Sequence, residues 1–200
     1  MFDDIREQFF ASELIPGVSA RYVEDRAAFW TVIAPMMERI FVPFPELGLY
    51  QMPDERWEQL TPLREVFAQT HHERFIFYNP AGEAVGWSYG EMLDYETFFM
   101  TSSGILPEYR RRGIYTAFLK RLLRYLAALG YERVTSKHQT NNAPVIIAKL
   151  KAGFVILGVD LDERWGAQVE LAYFFHEDRR RGYEKAFALE QWDASVIHAG

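Results

Sequence analysis

Residues 107–128 read PEYRRRGIYTAFLKRLLRYLAA: a turn, three consecutive arginines, a glycine and then an amphipathic run. Ile114, Phe118, Leu122, Leu126 and Leu129 recur at helical spacing, while Lys120, Arg121 and Arg124 fall largely off that stripe. The pattern predicts a helix that Gly130 stops. First-turn amides of a helix have no intrahelical acceptor, and the macrodipole adds roughly half a positive charge at that end. An arginine-rich turn leading into such an end suits an anion, a phosphate above all.

Outward from this run the period changes. Tyr95 to Leu106 reads as one long strand, with Ser102-Ser103-Gly104 as the place for a bulge, and Arg133 to Lys137 reads as a short strand. Strand, helix and strand then form a right-handed crossover, with the arginine loop at the carboxyl end of the long strand. Arg74 to Tyr78 and Glu83 to Tyr89 flank the turn Asn79-Pro80-Ala81-Gly82 as a hairpin. Val18 to Val23 is an expected first strand. Glu24-Asp25 opens a helix towards Ile40 with Pro35 in its middle, and Asp54 and Thr61-Pro62 start two short helices ending near His71. Asn141 to Lys151 is a further helix, and Phe154 to Leu161 with Ala167 to Phe175 a closing hairpin. The expected division is a helical extension over 1–17, a main domain over 18–176 and a charged helical tail over 177–200.

Two hundred residues that are 49% hydrophobic suit one globular core. No apolar run nears the roughly 18 residues of a membrane span, and the acidic start is unlike a signal peptide, so a cytoplasmic protein is expected. With no cysteine, disulfides, thiolate ligands and a cysteine nucleophile are excluded. The net charge of -6 is uneven: residues 1–100 carry -10 and residues 101–200 carry +4. The second half suits an anion and the first half a cation. Glycine-rich dinucleotide loops, Walker A, HExxH and nucleophile-elbow signatures are missing, and His71, His72 and His176 form no metal set.

The remaining signature is Arg110, Arg111-Arg112, Gly113, Ile114 and Tyr115, preceded by Ile105 to Tyr109 and followed by NAPVIIAKLKAGF from Asn142 to Phe154. These two motifs, at this separation, resemble the GNAT superfamily of acyl-CoA N-acyltransferases over roughly residues 18–176. The resemblance implies a mixed α/β fold: a mostly antiparallel twisted sheet of about seven strands flanked by helices, its fourth and fifth strands splayed. It implies acetyl-CoA or another short acyl-CoA as co-substrate, with Ile105 and Leu106 against the pantetheine arm. The amides and side chains of Arg110, Arg111, Arg112, Gly113, Ile114, Tyr115 and Thr116 would then meet the pyrophosphate, and Asn142 would complete the site. Tyr115 departs from the family's small sixth residue. The resemblance also implies direct transfer to an amine with no metal; a small-molecule amine is the expected acceptor, and macromolecular acceptors stay open.

Such transfer needs a base and an acid. Glu96, on the long strand, is the candidate general base; Glu91 and Asp94 are alternatives to it, read rather as loop charges for a cationic substrate. His138, in the loop after the fifth strand, is the candidate acid. Relatives often carry a tyrosine four residues before the glycine of Gly-Phe, where this chain has Lys149, expected as a solvated helix lysine, with assistance to the transfer as the alternative. Phe41, Phe44, Tyr50, Trp57, Trp87, Tyr89 and Tyr95 either line an acceptor pocket or pack the core. The alternative function is an acyl-CoA-binding sensor without transfer. Nucleic acid is disfavoured by the acidic total, no membrane partner is expected, and a homodimer stays open.

Overall fold

The computed structural model describes residues 2–41 and 52–187. Phe44, Tyr50 and the tail beyond 187 therefore lie outside the described residues. The amphipathic run forms α5 (Ile114–Leu129), bounded by Gly113 and Gly130, both left-handed. Its apolar stripe goes inward: Ile114, Phe118, Leu122 and Leu126 are buried, and Phe118 meets Phe10, Phe75 and Phe77.

Before it come α1 (Phe2–Phe10), β1 (Ser19–Tyr22), α2 (Arg26–Ile40), α3 (Asp54–Gln59) and α4 (Thr61–Ala68), then β2 (His72–Tyr78), β3 (Ala84–Met92) and β4 (Thr97–Ile105). After it come β5 (Arg133–Gln139), α6 (Ala143–Lys151), β6 (Val155–Asp162), β7 (Gly166–Phe174) and α7 (Glu177–Ala186). Asp25 caps α2 by accepting from the amides of Ala27 and Ala28, and the helix runs on through Pro35.

The seven strands make one sheet in the order β1-β2-β3-β4-β5-β7-β6. Every pairing is antiparallel except β4 with β5, the two joined by α5. Alternation sends side chains to two cores. Phe75, Phe77, Phe98 and Met100 face α1 and α5, whereas Ile76 and Trp87 face Phe29 and Ile33 of α2. A buried polar clamp ties α1 to the sheet, because Arg6 donates through Nε and Nη2 to the Glu73 carboxylate at 3.0 Å each. Burial pushes the Glu73 pKa up, but hydrogen bonds from His71, Arg6 and Tyr125 outweigh it and leave the group below its usual range.

The feature that positions the site is how little β4 and β5 share. Their register runs only from Thr97 opposite Arg133 to Phe99 opposite Thr135. Beyond that, β4 continues beside β3 alone and β5 beside β7 alone, so the strands part. The bulge of β4 falls at Thr101, between Met100 opposite Gly90 and Ser102 opposite Tyr89, and not within Ser102-Ser103-Gly104. Gly104 instead gives clearance, because a Cβ there would lie 2.4 Å from the Trp87 ring, whose Nε1 donates to Ser102 Oγ at 3.1 Å.

Candidate active site

The gap between β4 and β5 opens at their carboxyl ends, where the arginine loop begins. After a single 3-10 turn, Pro107–Tyr109, the backbone takes positive φ at Arg111 (60°) and Gly113 (82°). Alternating left-handed residues turn successive amides to one side and make an anion-binding concavity. No side chain caps α5, so the first-turn amides of Ile114, Tyr115 and Thr116 continue that concavity. Gly113 is required by its φ and not by space, since nothing lies within 4 Å of an added Cβ.

The arginines divide their work. Arg110 Nε donates to the Ile105 carbonyl at 3.0 Å, and Arg112 Nη2 donates to the Glu108 carbonyl at 2.8 Å while lying over the Tyr109 ring. Both brace the loop, yet they remain exposed, as does Arg111. Arg39 of α2 pairs with Glu108 at 2.8 Å and ties the loop to the opposite face. Thr116 is exposed, Tyr115 is half-buried with its hydroxyl pushed up by burial, and Ile114 and Leu106 are core residues. Asn142 stands exposed before α6, its side chain capping nothing. Because β4 and β5 are parallel, this asparagine and the arginine loop flank the same opening.

At the closed apex of the gap the side chains are unexpected. Lys149 is 0% exposed, so the expectation of a solvated lysine is overturned. Its Nζ lies 3.4 Å from Met100 Sδ and 4.8 Å from the Phe154 ring centroid. Desolvation pushes its pKa down to about 7. His138 lies on β5 and not in the loop after it, sharing a 3.1 Å hydrogen bond between Nε2 and Ser136 Oγ. Burial, with the charge of Lys149, pushes His138 down to about 3. That shift disfavours the protonated imidazole at neutral pH. Thr135 Oγ1, at the last β4–β5 pair, is buried without a hydrogen-bond partner among the described residues.

Glu96 lies away from the gap. It precedes β4 at the end where the strands still pair, and the six residues to Ser102 span roughly 20 Å. Its carboxylate is held by Arg179 Nη2 at 2.9 Å and Nη1 at 3.2 Å, with Arg133 at 3.8 Å, which lowers its pKa. The carboxylate nearer the gap is Glu91, on β3 and not in a loop. It accepts from the Tyr89 hydroxyl, lies 3.6 Å from His72 Nδ1, and is hydrogen-bonded by Thr101, the bulge residue. Burial pushes Glu91 up, but those hydrogen bonds win and keep it ionised. Strand periodicity from Tyr89 to Glu91 was the signal that could have found this pair.

Of the aromatic candidates, Trp87 is core, Tyr89 adjoins Glu91, Phe41 edges onto Trp87, and Trp57 and Tyr95 are exposed. Among the described residues no cluster of His, Asp and Glu could hold a metal, and no helix is long and apolar enough to cross a membrane.

Residues 35–154 match the model of the acetyltransferase (GNAT) family. A spermidine N-acetyltransferase chimera from Vibrio cholerae and hSSAT superposes with a TM-score of 0.57 at 15% identity, covering 79% of this chain and 95% of that one. Spermidine N-acetyltransferase from Vibrio cholerae in complex with CoA and spermine gives 0.56 at 14%, covering 80% and 96%. The ribosomal-protein-S18-alanine N-acetyltransferase from Escherichia coli gives 0.56 at 12%, covering 78% and 93%. At these identities the likeness is one of fold. No curated protein matches the chain in sequence.

Proposed function

Since the chain belongs to the acetyltransferase (GNAT) family, we propose that it transfers an acetyl or other short acyl group directly from acyl-CoA to the primary amine of a small molecule. The observation that carries this reading is the junction of two features: a strand pair that separates after Phe99, and an uncapped, arginine-flanked helix start at the mouth of that separation. A long ligand with a diphosphate at one end and an extended arm at the other fits such a junction. The amides from Arg111 to Thr116 and the exposed guanidiniums would hold the diphosphate. The backbone of β4 beyond Phe99, unpaired on its β5 side, would hold the arm as an added strand. The unpartnered Thr135 hydroxyl marks the same apex as a place that lacks a polar partner until something enters.

The bound thioester supplies the acyl group, and attack by the amine releases CoA as the thiol. The chain's own part is positioning and charge. Ionised Glu91, next to Thr101, is assigned to the acceptor's amine, consistent with the -10 charge of residues 1–100. Amine acceptors named for similar folds, spermidine and spermine among them, support the class of substrate.

Release of free thiol from acetyl-CoA, followed across a panel of small amines, tests the proposal. Thiol release above background with at least one amine is expected. Tight binding of acetyl-CoA without release for any amine would leave a binding module and sink the transferase reading. Arg110→Glu is expected to weaken CoA binding by about 1–2 kcal/mol, roughly tenfold, in calorimetry.

A further inference from the structure

Helix α6 buries a charge-bearing residue more deeply than its apolar ones. Its only fully buried side chain is Lys149; Ile146 packs partly buried on the core, while Ile147 is 50% and Leu150 40% exposed. Turning the helix to bury isoleucine and leucine would be the ordinary solution, because an isolated buried ammonium is far costlier than an exposed aliphatic side chain. A methionine or leucine at 149 would fill the same volume without that cost. Among the described residues, moreover, no carboxylate pairs with Lys149: its neighbours are a thioether, an aromatic ring and the imidazole of His138.

Its location narrows what such an amine is for. Met100 is the residue immediately after Phe99, where β4 stops pairing with β5, so Nζ lies against β4 at the level where the gap begins. Desolvation leaves about half of the Lys149 amine unprotonated at pH 7, the nucleophilic form that buried lysines use in carbonyl chemistry. We propose that Lys149 is itself an acyl acceptor, attacking a thioester held in the β4–β5 gap so that the chain becomes Nε-acylated at this residue. A bond forms from Nζ to the acyl carbon, the carbon–sulfur bond breaks, and the proton lost by the amine goes to sulfur, releasing CoA as the thiol. The product is a neutral amide, which removes from the apolar apex a group that would otherwise titrate there.

This inference rests on the acyl-CoA reading of the gap, and the experiment separates the two. Purified full-length protein is incubated at pH 7 with acetyl-CoA and no added amine. Binding is followed by calorimetry, and modification by intact mass and peptide mapping. At that pH the unprotonated fraction of Lys149 exceeds that of an ordinary lysine by on the order of a thousandfold. Lower intrinsic nucleophilicity takes back part of this, leaving an expected preference of roughly a hundredfold over Lys120, Lys151 and Lys185. One acetyl group per chain, mapped to Lys149 and absent from Lys149→Arg and Lys149→Met, is the expected result. Acetyl-CoA that binds while Lys149 stays unmodified would overturn the inference and leave the function standing. Acetylation spread over surface lysines would overturn it as well. Should Lys149→Met abolish transfer to an added amine and shift its pH profile while the wild-type lysine stays free, the residue carries protons and accepts no acyl group. Failure to bind acetyl-CoA at all would remove both readings together.

Discussion

Helices α5 and α6 flank the same gap and obey opposite rules. In α5 the apolar stripe is inside, the cations are outside and glycines mark both ends. In α6 a lysine is inside while an isoleucine and a leucine are outside. The first arrangement holds the fold together and exposes its amides only at the N-terminus. The second costs stability, and a protein that tolerates such a cost does so where chemistry uses it. The difference teaches where to look for function: α5 presents uncapped amides on a conventional helix, while α6 carries the exception, a buried lysine.

The largest expected effect tests the conventional half. Phe118→Ala empties a site that touches Phe10, Phe75 and Phe77 and is expected to cost about 3–5 kcal/mol in urea denaturation. A loss below about 1 kcal/mol would mean that packing does not hold α5.

Next comes the exception. Lys149 binds a proton at 10.5 when unfolded and at about 7 when folded, so the unfolded chain holds more protons between those values. Stability therefore rises with pH across that window, and the penalty is fully present below it. Relative to Lys149→Met, the wild-type protein is expected to gain about 3 kcal/mol between pH 7 and 9.5. Parallel curves for the two chains would show that Lys149 is solvated and that the contrast between the helices is false. Measuring the difference cancels the buried tyrosines Tyr125 and Tyr131, whose raised values act in the opposite sense at high pH.

A smaller effect sharpens the binding end. Gly113→Val puts a β-branched residue at a φ of 82° and is expected to destabilise by about 1–2 kcal/mol through backbone strain alone, with weaker CoA binding in calorimetry. The smallest effect is expected at Glu96→Gln: thiol release stays within about twofold of wild type, as for a surface substitution remote from the reaction. A large fall in rate there would return Glu96 to the site and contradict the separation of the closed end of the sheet from the gap.

Much of the fold was legible because its signals are local. The stripe from Ile114 to Leu129, the cap at Asp25 and the hairpin across Asn79 to Gly82 depend on neighbours a few residues away, and each element appears within a few residues of its expected place. The bulge was misplaced because Gly104 is a turn-prone residue in the sequence, whereas in the sheet it is the clearance for Trp87. The turn from the arginines into α5 was legible, but not the division by which Arg110 and Arg112 brace it. The carboxylates were harder. Glu96 and Glu91 sit five positions apart in sequence, and only the register of β3, β4 and β5 separates the one locked by Arg179 from the one beside the bulge.

By itself, the sequence determined the order of elements, the crossover around α5, the arginine-rich turn into the start of that helix and the opposite charges of the two halves, since periodicity, caps and charge are carried by residues near one another in the chain. Only the tertiary structure decided the state of Lys149. Its charge depends on exclusion of water by Met100 and Phe154 and on His138, residues from separate strands and their approaches, and no spacing in the sequence encodes that desolvation.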